Sequence, residues 1–320
     1  MTKKIIVSDV GGTNGRFGIA EFSNQEQKPK INSFHVFPCT EFTSFADMFG
    51  AYLDKVEGEI PKEAILAIAG EVLERSGFMW HHKWQFSSDE LEKRFSLKNV
   101  KMLNDHAAVA FAVDHFLKDQ LITISDKKPI DNNLPYSVFG PGSGFGAAIG
   151  VPSSAGLKVV PTEIGHVSYA PKNQFEWELC DYLKDSLGFV STDRLISGPG
   201  IKRIYDFLLF QGHPGDSKLN SHDITKAALD NSDATCRKTV LTFLSMLGSV
   251  SGDVALAHGA KGGIYIGGGI VPKLVSLIDE SDFMKRFYDK GPMTRFVEIV
   301  PIYVISTDKP GLLGAAMAKF

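Results

Sequence analysis

Cysteine and long apolar segments are both scarce in this 320-residue sequence. The three cysteines, Cys39, Cys180 and Cys236, are isolated and odd in number, which is typical of reduced thiols and argues against a cysteine-rich zinc site. No apolar run approaches the roughly 20 residues needed to span a bilayer. The apolar stretch at the N-terminus ends at Ser8-Asp9, which is too short for a signal peptide. We therefore expect a cytoplasmic protein with no membrane partner.

A large excess of charge of one sign is also missing. The sequence has 34 basic and 37 acidic residues, and both signs are evenly spread, so nothing indicates a nucleic-acid partner. Low-complexity linkers and fixed-period repeats are absent as well. Since 320 residues exceed what one typical core supports, we expect two packed lobes.

Strand and helix patterns alternate along the chain, which predicts an α/β architecture. The predicted strands are 5–9, 16–22, 64–69, 100–103, 137–139, 145–151, 263–266 and 300–305. The predicted helices are 42–56, 105–116, 175–187, 201–210, 234–258, 272–278 and 312–319. Ser197-Gly198-Pro199-Gly200 is interpreted as a breaker that precedes the helix at 201–210.

The first candidate ligand site is a glycine pair between two predicted strands, in Asp9-Val10-Gly11-Gly12-Thr13. Glycines have no Cβ, so their backbone N–H groups can approach a phosphate closely, and Thr13 adds a hydroxyl donor. Asp9 is suited to hold Mg²⁺ through water, because hard cations prefer carboxylate and phosphate oxygens. A glycine pair alone would favour a simple tight hairpin. The acid before the pair and the Thr-Asn that follows it favour the phosphate interpretation.

Two further glycine-rich turns occur at 140–146 and 262–272. The turn at 140–146 lacks the ending of a P-loop, and a strand follows it, so it is not a dinucleotide fingerprint. The other turn ends in Gly267-Gly268-Gly269, which would leave a flat shelf for a planar base. Close strand–helix packing that needs small residues explains these three glycines equally well. Two phosphate-type turns, one in each lobe, predict a ligand held from both sides.

Polar residues suited to proton transfer and to hydrogen bonding with a ligand occur at two other places. Asn104-Asp105 follows a predicted strand and opens a helix, where a carboxylate can take a proton from a hydroxyl. Asp105 would equally serve as a plain helix cap, since Asn and Asp are favoured there. Glu163 and His166, three residues apart, offer an acceptor and a donor to adjacent hydroxyl groups.

The order of these elements resembles the phosphate, phosphate and adenosine motifs of the hexokinase/actin/heat-shock chaperone superfamily. Nearly the whole chain is similar to bacterial glucokinases of the group that lacks the zinc-binding cysteine cluster. The matching segments are 9–16, Asn104-Asp105, Glu163-x-x-His166, 197–200, 267–272 and 310–314. The resemblance implies an α/β, two-lobed hexokinase/actin-like (ribonuclease H-like) fold with a central cleft. It places a small domain at 1–115 plus 306–320 and a large domain at 116–305.

The resemblance also implies the chemistry. Such an enzyme phosphorylates the 6-hydroxyl of glucose with ATP and Mg²⁺, giving glucose 6-phosphate for glycolysis, with Asp105 as the catalytic base. The implied sugar-binding residues are Asn104, Asp105, Glu163, His166 and Asp193. The implied nucleotide-binding residues are Ser8, Asp9, Val10, Gly11, Gly12, Thr13, Gly140, Gly142, Ser143, Gly144, Gly268 and Gly269, with Asp9 as the magnesium contact through water. The expected partners are then glucose and ATP, with a homodimer as the expected assembly.

Several positions depart from the pattern of that family and concern the sugar more than the reaction, among them Glu71 in place of Pro and Trp80-His81-His82 in place of Thr-Asn-His. Asp193 stands where Glu is usual, Ile164 where Gly is usual, and His106 where Phe follows the Asn-Asp pair. A site built to bond hydroxyls discriminates strongly when one partner is missing. Two alternatives therefore stay open, namely a related hexose or amino-sugar kinase of the same fold and a sugar sensor that has lost turnover.

Overall fold

The computed structural model describes residues 3–23, 28–125, 127–131 and 133–318. The chain forms two compact units. Unit 1 comprises residues 1–120, 159–161 and 307–320, and unit 2 comprises residues 121–158 and 162–306. The main boundaries thus lie at 120/121 and 306/307, compared with 115/116 and 305/306 in the sequence-based division. The predicted α/β class is confirmed, since each unit combines a β-sheet with helices.

Strands and helices alternate along most of the chain. The strands are β1 Lys3–Val10, β2 Asn14–Phe22, β3 Lys30–Pro38, β4 Glu63–Ile68, β5 Glu71–Val72, β6 Ser76–Met79, β7 Trp84–Ser87, β8 Asn99–Asn104, β9 Leu121–Thr123, β10 Tyr136–Pro141, β11 Phe145–Val151, β12 Lys158–Thr162, β13 Gly263–Ile266 and β14 Ile302–Ile305. The α-helices are α1 Phe45–Leu53, α2 Ser88–Phe95, α3 Asp105–Ala112, α4 Gln174–Leu187, α5 Thr192–Leu195, α6 Gly198–Phe210, α7 Ser221–Leu229, α8 Ala234–Ala257, α9 Val271–Leu274, α10 Phe283–Tyr288, α11 Thr294–Val297 and α12 Pro310–Met317. Short 3-10 helices occur at Cys39–Glu41, Val113–His115, Lys118–Gln120, Ile164–His166, Val275–Leu277 and Gly291–Met293.

Unit 1 is built on a five-stranded sheet in the order β3-β2-β1-β4-β8. Successive side chains of a strand face opposite sides of the sheet, so β1 contributes to two cores. Ile6 and Val10 lie in the core that contains α1, whereas Ile5 and Val7 lie in the core that contains residues of α12. The sheet is therefore covered on both faces, which explains the continuous apolar run of β1.

The parallel strands of unit 1 end at one edge of this sheet. Val10 at the end of β1 pairs with Ile68 of β4, and Ile68 pairs with Asn104 of β8. The carboxyl ends of parallel strands are where α/β sheets usually bind ligands. The register thus brings the glycine turn after β1 and the start of α3 to the same edge.

A second, three-stranded sheet in the order β5-β6-β7 lies in the chain between β4 and α2. The sequence analysis predicted neither these strands nor the edge strand β3. Strands of two to four residues are too short for alternation of apolar and polar side chains to be recognised. β3 is mostly exposed or half-buried, and its apolar residues Ile31, Phe34, Val36 and Phe37 do not alternate regularly with polar ones.

A six-stranded sheet in the order β12-β11-β10-β13-β14-β9 lies in unit 2, apart from residues 159–161 of β12, which belong to unit 1. β10, β13 and β14 are parallel, so the glycine turns that follow β10 and β13 also share one sheet edge. The helix α8 packs in the core of this unit against α6, α7 and α10. Among the described residues it is the one helix long and apolar enough to cross a membrane, but most of it is buried, as in a core helix.

Several predicted helices differ from the observed ones at their ends. The helix predicted at 42–56 covers Phe45–Leu53, and the one predicted at 105–116 ends at Ala112 and continues as a 3-10 turn. The last residue of the helix predicted at 312–319 lies outside the described residues. The interpretation of 197–200 as a breaker was wrong, because α6 begins at Gly198. Ser197 caps this helix, and its proline lies in the first turn, where a missing backbone N–H is tolerated.

Candidate active site

The glycine turn of unit 1 connects two antiparallel strands and is closed by a hydrogen bond from Gly11 N to Asn14 O of 3.0 Å. Its carbonyl groups are held by side chains from outside the turn. His82 Nε2 lies 2.8 Å from Gly12 O, and Cys39 Sγ donates to Gly11 O at 3.3 Å. Burial raises the pKa of Cys39 to about 11, so its thiol stays protonated and can donate. These bonds fix the orientation of the peptide planes in the turn.

The orientation has a consequence for ligand binding. A trans peptide places its N–H opposite its carbonyl group. Because the Gly12 carbonyl points at His82, the N–H of Thr13 points away from His82. The exposed Thr13 therefore presents a backbone donor as well as its hydroxyl group to a ligand.

Asp9, the residue before the last of β1, has a carboxylate in an unusual environment. Burial raises the pKa of Asp9 to about 6, and the nearby Asp105 carboxylate adds to the rise, while Arg16 and His106 lower it. The first turn of α12 lies directly on this side chain, since a Cβ on Gly311 would lie 2.5 Å from Asp9 Cγ. Two neighbouring carboxylates, one of them poorly solvated, form a place where a divalent cation would be favourable.

These carboxylates suit a magnesium ion that takes most of its ligands from water and from a bound phosphate. No group of three or more His, Cys, Asp or Glu side chains within the described ranges is arranged to hold a metal. Mg²⁺ is usually bound through one or two carboxylates and completes its shell with water and substrate phosphates. Asp9 beside Asp105 meets that requirement.

Asn104 is the cap of α3. Its Oδ1 accepts from His106 N at 3.0 Å and from Ala107 N at 3.2 Å, and its Nδ2 donates to Gly70 O at 3.3 Å. Asp105 is consequently the first residue of the helix and does not serve as its cap. The capping role considered for Asp105 in the sequence analysis was wrong, and the Asn104 side chain has a structural role in addition to the predicted contact with sugar.

The Asp105 carboxylate is held by the residue that follows it. Its Oδ1 accepts from His106 N at 2.9 Å and lies 3.0 Å from His106 Nδ1. Burial raises the pKa of Asp105, but the adjacent His106 side chain and the backbone N–H groups outweigh burial, so the pKa lies below its ordinary value. Asp105 is therefore an ionised carboxylate whose side chain is 22% exposed. It lies at the same sheet edge as the glycine turn, because β1 and β8 both pair with β4. Such a group can accept a proton from a bound hydroxyl.

The glycine turn of unit 2 packs against the third glycine segment. The turn is closed by Gly142 N and Gly144 O at 2.8 Å. A Cβ on Gly140 would lie 2.5 Å from Gly267 C, and one on Gly268, at φ +83°, would clash with the Pro141 carbonyl oxygen. Close packing of backbone on backbone is therefore sufficient to explain why positions 140 and 268 are glycine.

Two other glycines of this surface, Gly142 and Gly269, are not required by packing. A Cβ on Gly142 or on Gly269 would meet no described atom within 4 Å, and neither residue has the left-handed backbone that favours glycine. The structure alone does not demand glycine at these two positions. An open, side-chain-free surface at this point is suited to close approach by a ligand.

Asp193, on the short helix α5, is bound into this turn. Its Oδ1 accepts a hydrogen bond of 2.6 Å from Phe145 N, and a Cβ on Gly144 would lie 2.6 Å from the same oxygen. The carboxylate thus holds the end of the glycine turn. The Asp193 side chain would have to make the predicted contact with sugar in addition to this hydrogen bond.

Glu163 and His166 lie side by side and are open to solvent. Their side chains are 74% and 63% exposed, and Glu163 Oε2 lies 3.7 Å from His166 Nε2. Between them, Gly165 packs so closely on Phe145 that a Cβ would clash with the Phe145 carbonyl oxygen. The backbone of Phe145 therefore contacts both the Glu-x-x-His turn and Asp193. Ile164 packs against the apolar core of unit 2, which explains an apolar residue at this position.

The predicted site residues thus form two groups, one in each unit. Unit 1 brings together Asp9, the turn at 11–13 and Asn104-Asp105, and unit 2 brings together the turn at 140–146, Gly267–Gly269, Glu163, His166 and Asp193. The side chains of Ser8 and Val10 are buried, and Ser8 Oγ donates to Ala67 O at 3.4 Å, so these two can offer a ligand only backbone atoms.

The sequence analysis missed several residues that hold the site. Cys39, His82 and Gly311 lie against the unit 1 residues, and Gly198 N donates to Gly142 O at 2.8 Å in unit 2. The segments 197–200 and 310–314, which carry the family resemblance, contain Gly198 and Gly311, but no role was predicted for these two residues. No local pattern around Cys39 or His82 indicates a contact with a turn 28 or 70 residues earlier in the chain.

A family model and curated relatives agree on one family. The family model described as Glucokinase matches residues 6–319. The chain is 35% identical over 311 residues to a glucokinase of Saccharophagus degradans, covering 97% of this chain and 96% of that one. It superposes with a TM-score of 0.83, at 34% identity and 98% coverage of both chains, on the crystal structure of a glucokinase from an Antarctic psychrotroph. A ROK family glucokinase from Streptomyces griseus, solved with glucose and AMPPNP, shares the fold at a TM-score of 0.66 and 19% identity, with 98% of each chain covered.

Proposed function

The chain belongs to the glucokinase family, and on this premise we propose that it transfers the γ-phosphoryl group of ATP to the 6-hydroxyl of glucose. The observation that carries the proposal is the Asp105 carboxylate, which is ionised, partly exposed and aligned with the glycine turn at one sheet edge. This is the arrangement that a phosphotransferase with an alcohol acceptor requires. The two alternatives, a kinase for another hexose or amino sugar and a sensor without turnover, are not favoured by the comparisons.

Asp105 acts on the attacking hydroxyl of the sugar. As an ionised acceptor it orients the O–H group toward the phosphorus and takes its proton as the new P–O bond forms. Phosphoryl transfer needs little covalent help from the protein, so positioning and electrostatic stabilisation supply most of the rate. Asp105 is therefore the one residue of the chain to which we assign proton transfer.

The glycine turns supply contacts to the nucleotide. In unit 1 the Thr13 N–H and hydroxyl are donors for phosphate oxygens, and in unit 2 the open surface at Gly142 allows a phosphate to approach the backbone. The shelf at Gly269 is suited to the adenine ring, because no side chain covers it. The AMPPNP in the Streptomyces griseus structure supports ATP as the donor.

Asp9 is the residue that would hold Mg²⁺ in unit 1, beside the Asp105 carboxylate. A bound cation neutralises negative charge on the transferring phosphoryl group. Asp9, with a pKa raised to about 6, is the carboxylate whose charge most needs such a partner. We assign it the contact through water, and we assign no further residue to the ion.

Glu163, His166 and Asp193 are the proposed sugar contacts of unit 2, and Asn104 and Asp105 those of unit 1. The exposed Glu163–His166 pair offers an acceptor beside a group that can donate, which suits adjacent hydroxyls of a hexose. Asp193 already accepts from Phe145 N through Oδ1, so it can approach a sugar only with its other oxygen. We further propose a cytoplasmic location, which free Cys39, Cys180 and Cys236 support, and a homodimer.

A coupled assay for ADP release with Mg-ATP tests the function. Glucose is expected to be among the best substrates by kcat/KM in a panel that includes mannose, fructose and glucosamine. Preference for one of the other sugars by tenfold or more would move the chain to a different hexose kinase activity. Binding of glucose without ADP release would favour the sensor.

A further inference from the structure

His106 contacts Asp105 twice, once through its backbone and once through its ring. His106 N donates to Asp105 Oδ1 at 2.9 Å, and His106 Nδ1 lies 3.0 Å from the same oxygen. The two residues are neighbours on the first turn of α3, and both side chains are largely buried, at 18% and 22% exposure. A contact between two largely buried polar groups is worth more than the same contact in water.

The chemistry of the contact fixes the position of one proton. An ionised carboxylate can only accept hydrogen bonds, so Nδ1 of His106 must carry the proton that is shared with Asp105. Both of these donors end on Oδ1, and neither ends on Oδ2. The imidazole thereby fixes the rotation of the carboxylate and leaves one oxygen for another partner.

We propose that His106 is a positioning residue for the reaction, and that its Nδ1–H holds Asp105 so that Oδ2 receives the hydroxyl of the sugar. This inference rests on the proposed function, in which Asp105 is the base. Any residue at this position would keep the backbone N–H, so the ring of His106 adds a second donor to the same carboxylate oxygen.

Four variants separate a hydrogen bond from mere packing. In His106→Asn, the Nδ2 donor is attached to Cγ, as Nδ1 is in histidine, so the bond to Asp105 can be kept. In His106→Gln the donor lies one bond further out, at the place of Nε2, and His106→Phe keeps the ring without a donor. His115→Phe is the matched control, because His115 is a half-buried histidine in the 3-10 turn that continues α3.

We expect kcat to fall roughly tenfold in His106→Phe and His106→Gln, with the KM for ATP changed less than twofold, because a displaced base costs rate and not nucleotide affinity. His106→Asn should recover most of the lost kcat, and His115→Phe should keep the rate of the unchanged protein. Equal loss in the Asn, Gln and Phe variants, or no loss in any of them, overturns the proposal.

A second measurement does not depend on turnover. Two-bond ¹H–¹⁵N spectra recorded at about pH 9, well above the ordinary pKa of histidine, report which ring nitrogen carries the proton. We expect the proton on Nδ1 of His106, and a loss of that preference in Asp105→Ala. A proton on Nε2 would overturn the positioning role. An Asp105→Ala variant that keeps near-full kcat would instead overturn the base assignment of the proposed function, so the two failures can be told apart.

Discussion

The glycine turns of the two units are both rich in glycine, but different contacts hold them in place. In unit 1, side chains distant in sequence hold the turn, since His82 and Cys39 bond to the carbonyl groups of Gly12 and Gly11. In unit 2, the Asp193 side chain holds only the end of the turn, and the rest is held by backbone packed on backbone. Gly268 fits beneath the Pro141 carbonyl only because it has no side chain. The first turn should therefore be sensitive to changes in the residues around it, and the second to changes in the glycines themselves.

The largest effect on stability is expected from Gly268→Ala. The residue has φ +83°, and a Cβ would clash with the Pro141 carbonyl oxygen, so backbone strain and a steric clash add up. We expect a loss of roughly 3 kcal/mol in the free energy of unfolding, measured by urea denaturation.

Gly142→Ala is the matched control for this loss. It has open space on its Cβ side, so it should unfold like the unchanged protein while its KM for ATP rises several-fold. Equal destabilisation by the two alanines would contradict the division between packed and open glycines.

In unit 1, Asp9→Asn should raise stability while it lowers activity. The pKa of Asp9 is raised to about 6 in the folded protein, against 3.8 for the unperturbed group, so the folded state binds the proton more tightly. Its contribution to stability is complete below about pH 4 and is lost as the pH rises through 6. At pH 7 the neutral Asn should therefore be more stable by roughly 1–3 kcal/mol.

The measurement that checks this is thermal unfolding of both proteins between pH 4 and pH 8, without nucleotide or divalent ions. The advantage of the variant should shrink towards zero as the pH approaches 4. A constant difference across that range would show that charge on Asp9 is not its origin.

A smaller effect is expected from His82→Phe. Phenylalanine can keep the stacking of the ring on Trp84, whose centroid lies 4.7 Å away, but it cannot donate to Gly12 O. One hydrogen bond contributes about 1 kcal/mol, so the KM for ATP should rise roughly three- to tenfold with little change in kcat. An unchanged KM, in a protein of unchanged stability, would mean that the turn holds its shape without this side chain.

The main strands of the two larger sheets and the main helices were predictable from local patterns. β1 and β10 are apolar runs that end in glycine turns, and α8 has a continuous apolar pattern over 24 residues. The helix starts were less predictable. Gly198 and Pro199 ordinarily interrupt helices, and only the cap by Ser197 turns them into a first turn.

Within the site, residue types were predictable but their partners were not. Asn104-Asp105 could be recognised as a helix start after a strand, yet which of the two caps the helix depends on side-chain rotation. The bond between Asp193 and Phe145 spans 48 residues, and that between His82 and Gly12 spans 70. Contacts over such distances are decided by the packing of whole elements, which no local pattern contains.

The peptide groups on either side of Phe145 serve two neighbours at once. Its N–H bonds to Asp193, and its carbonyl oxygen lies against Gly165, between Glu163 and His166. A substitution introduced at any of these positions to change the accepted sugar will also shift the end of the loop that precedes β11. With the proposed roles of these residues, we expect sugar preference and donor affinity to change together when unit 2 is mutated at this point.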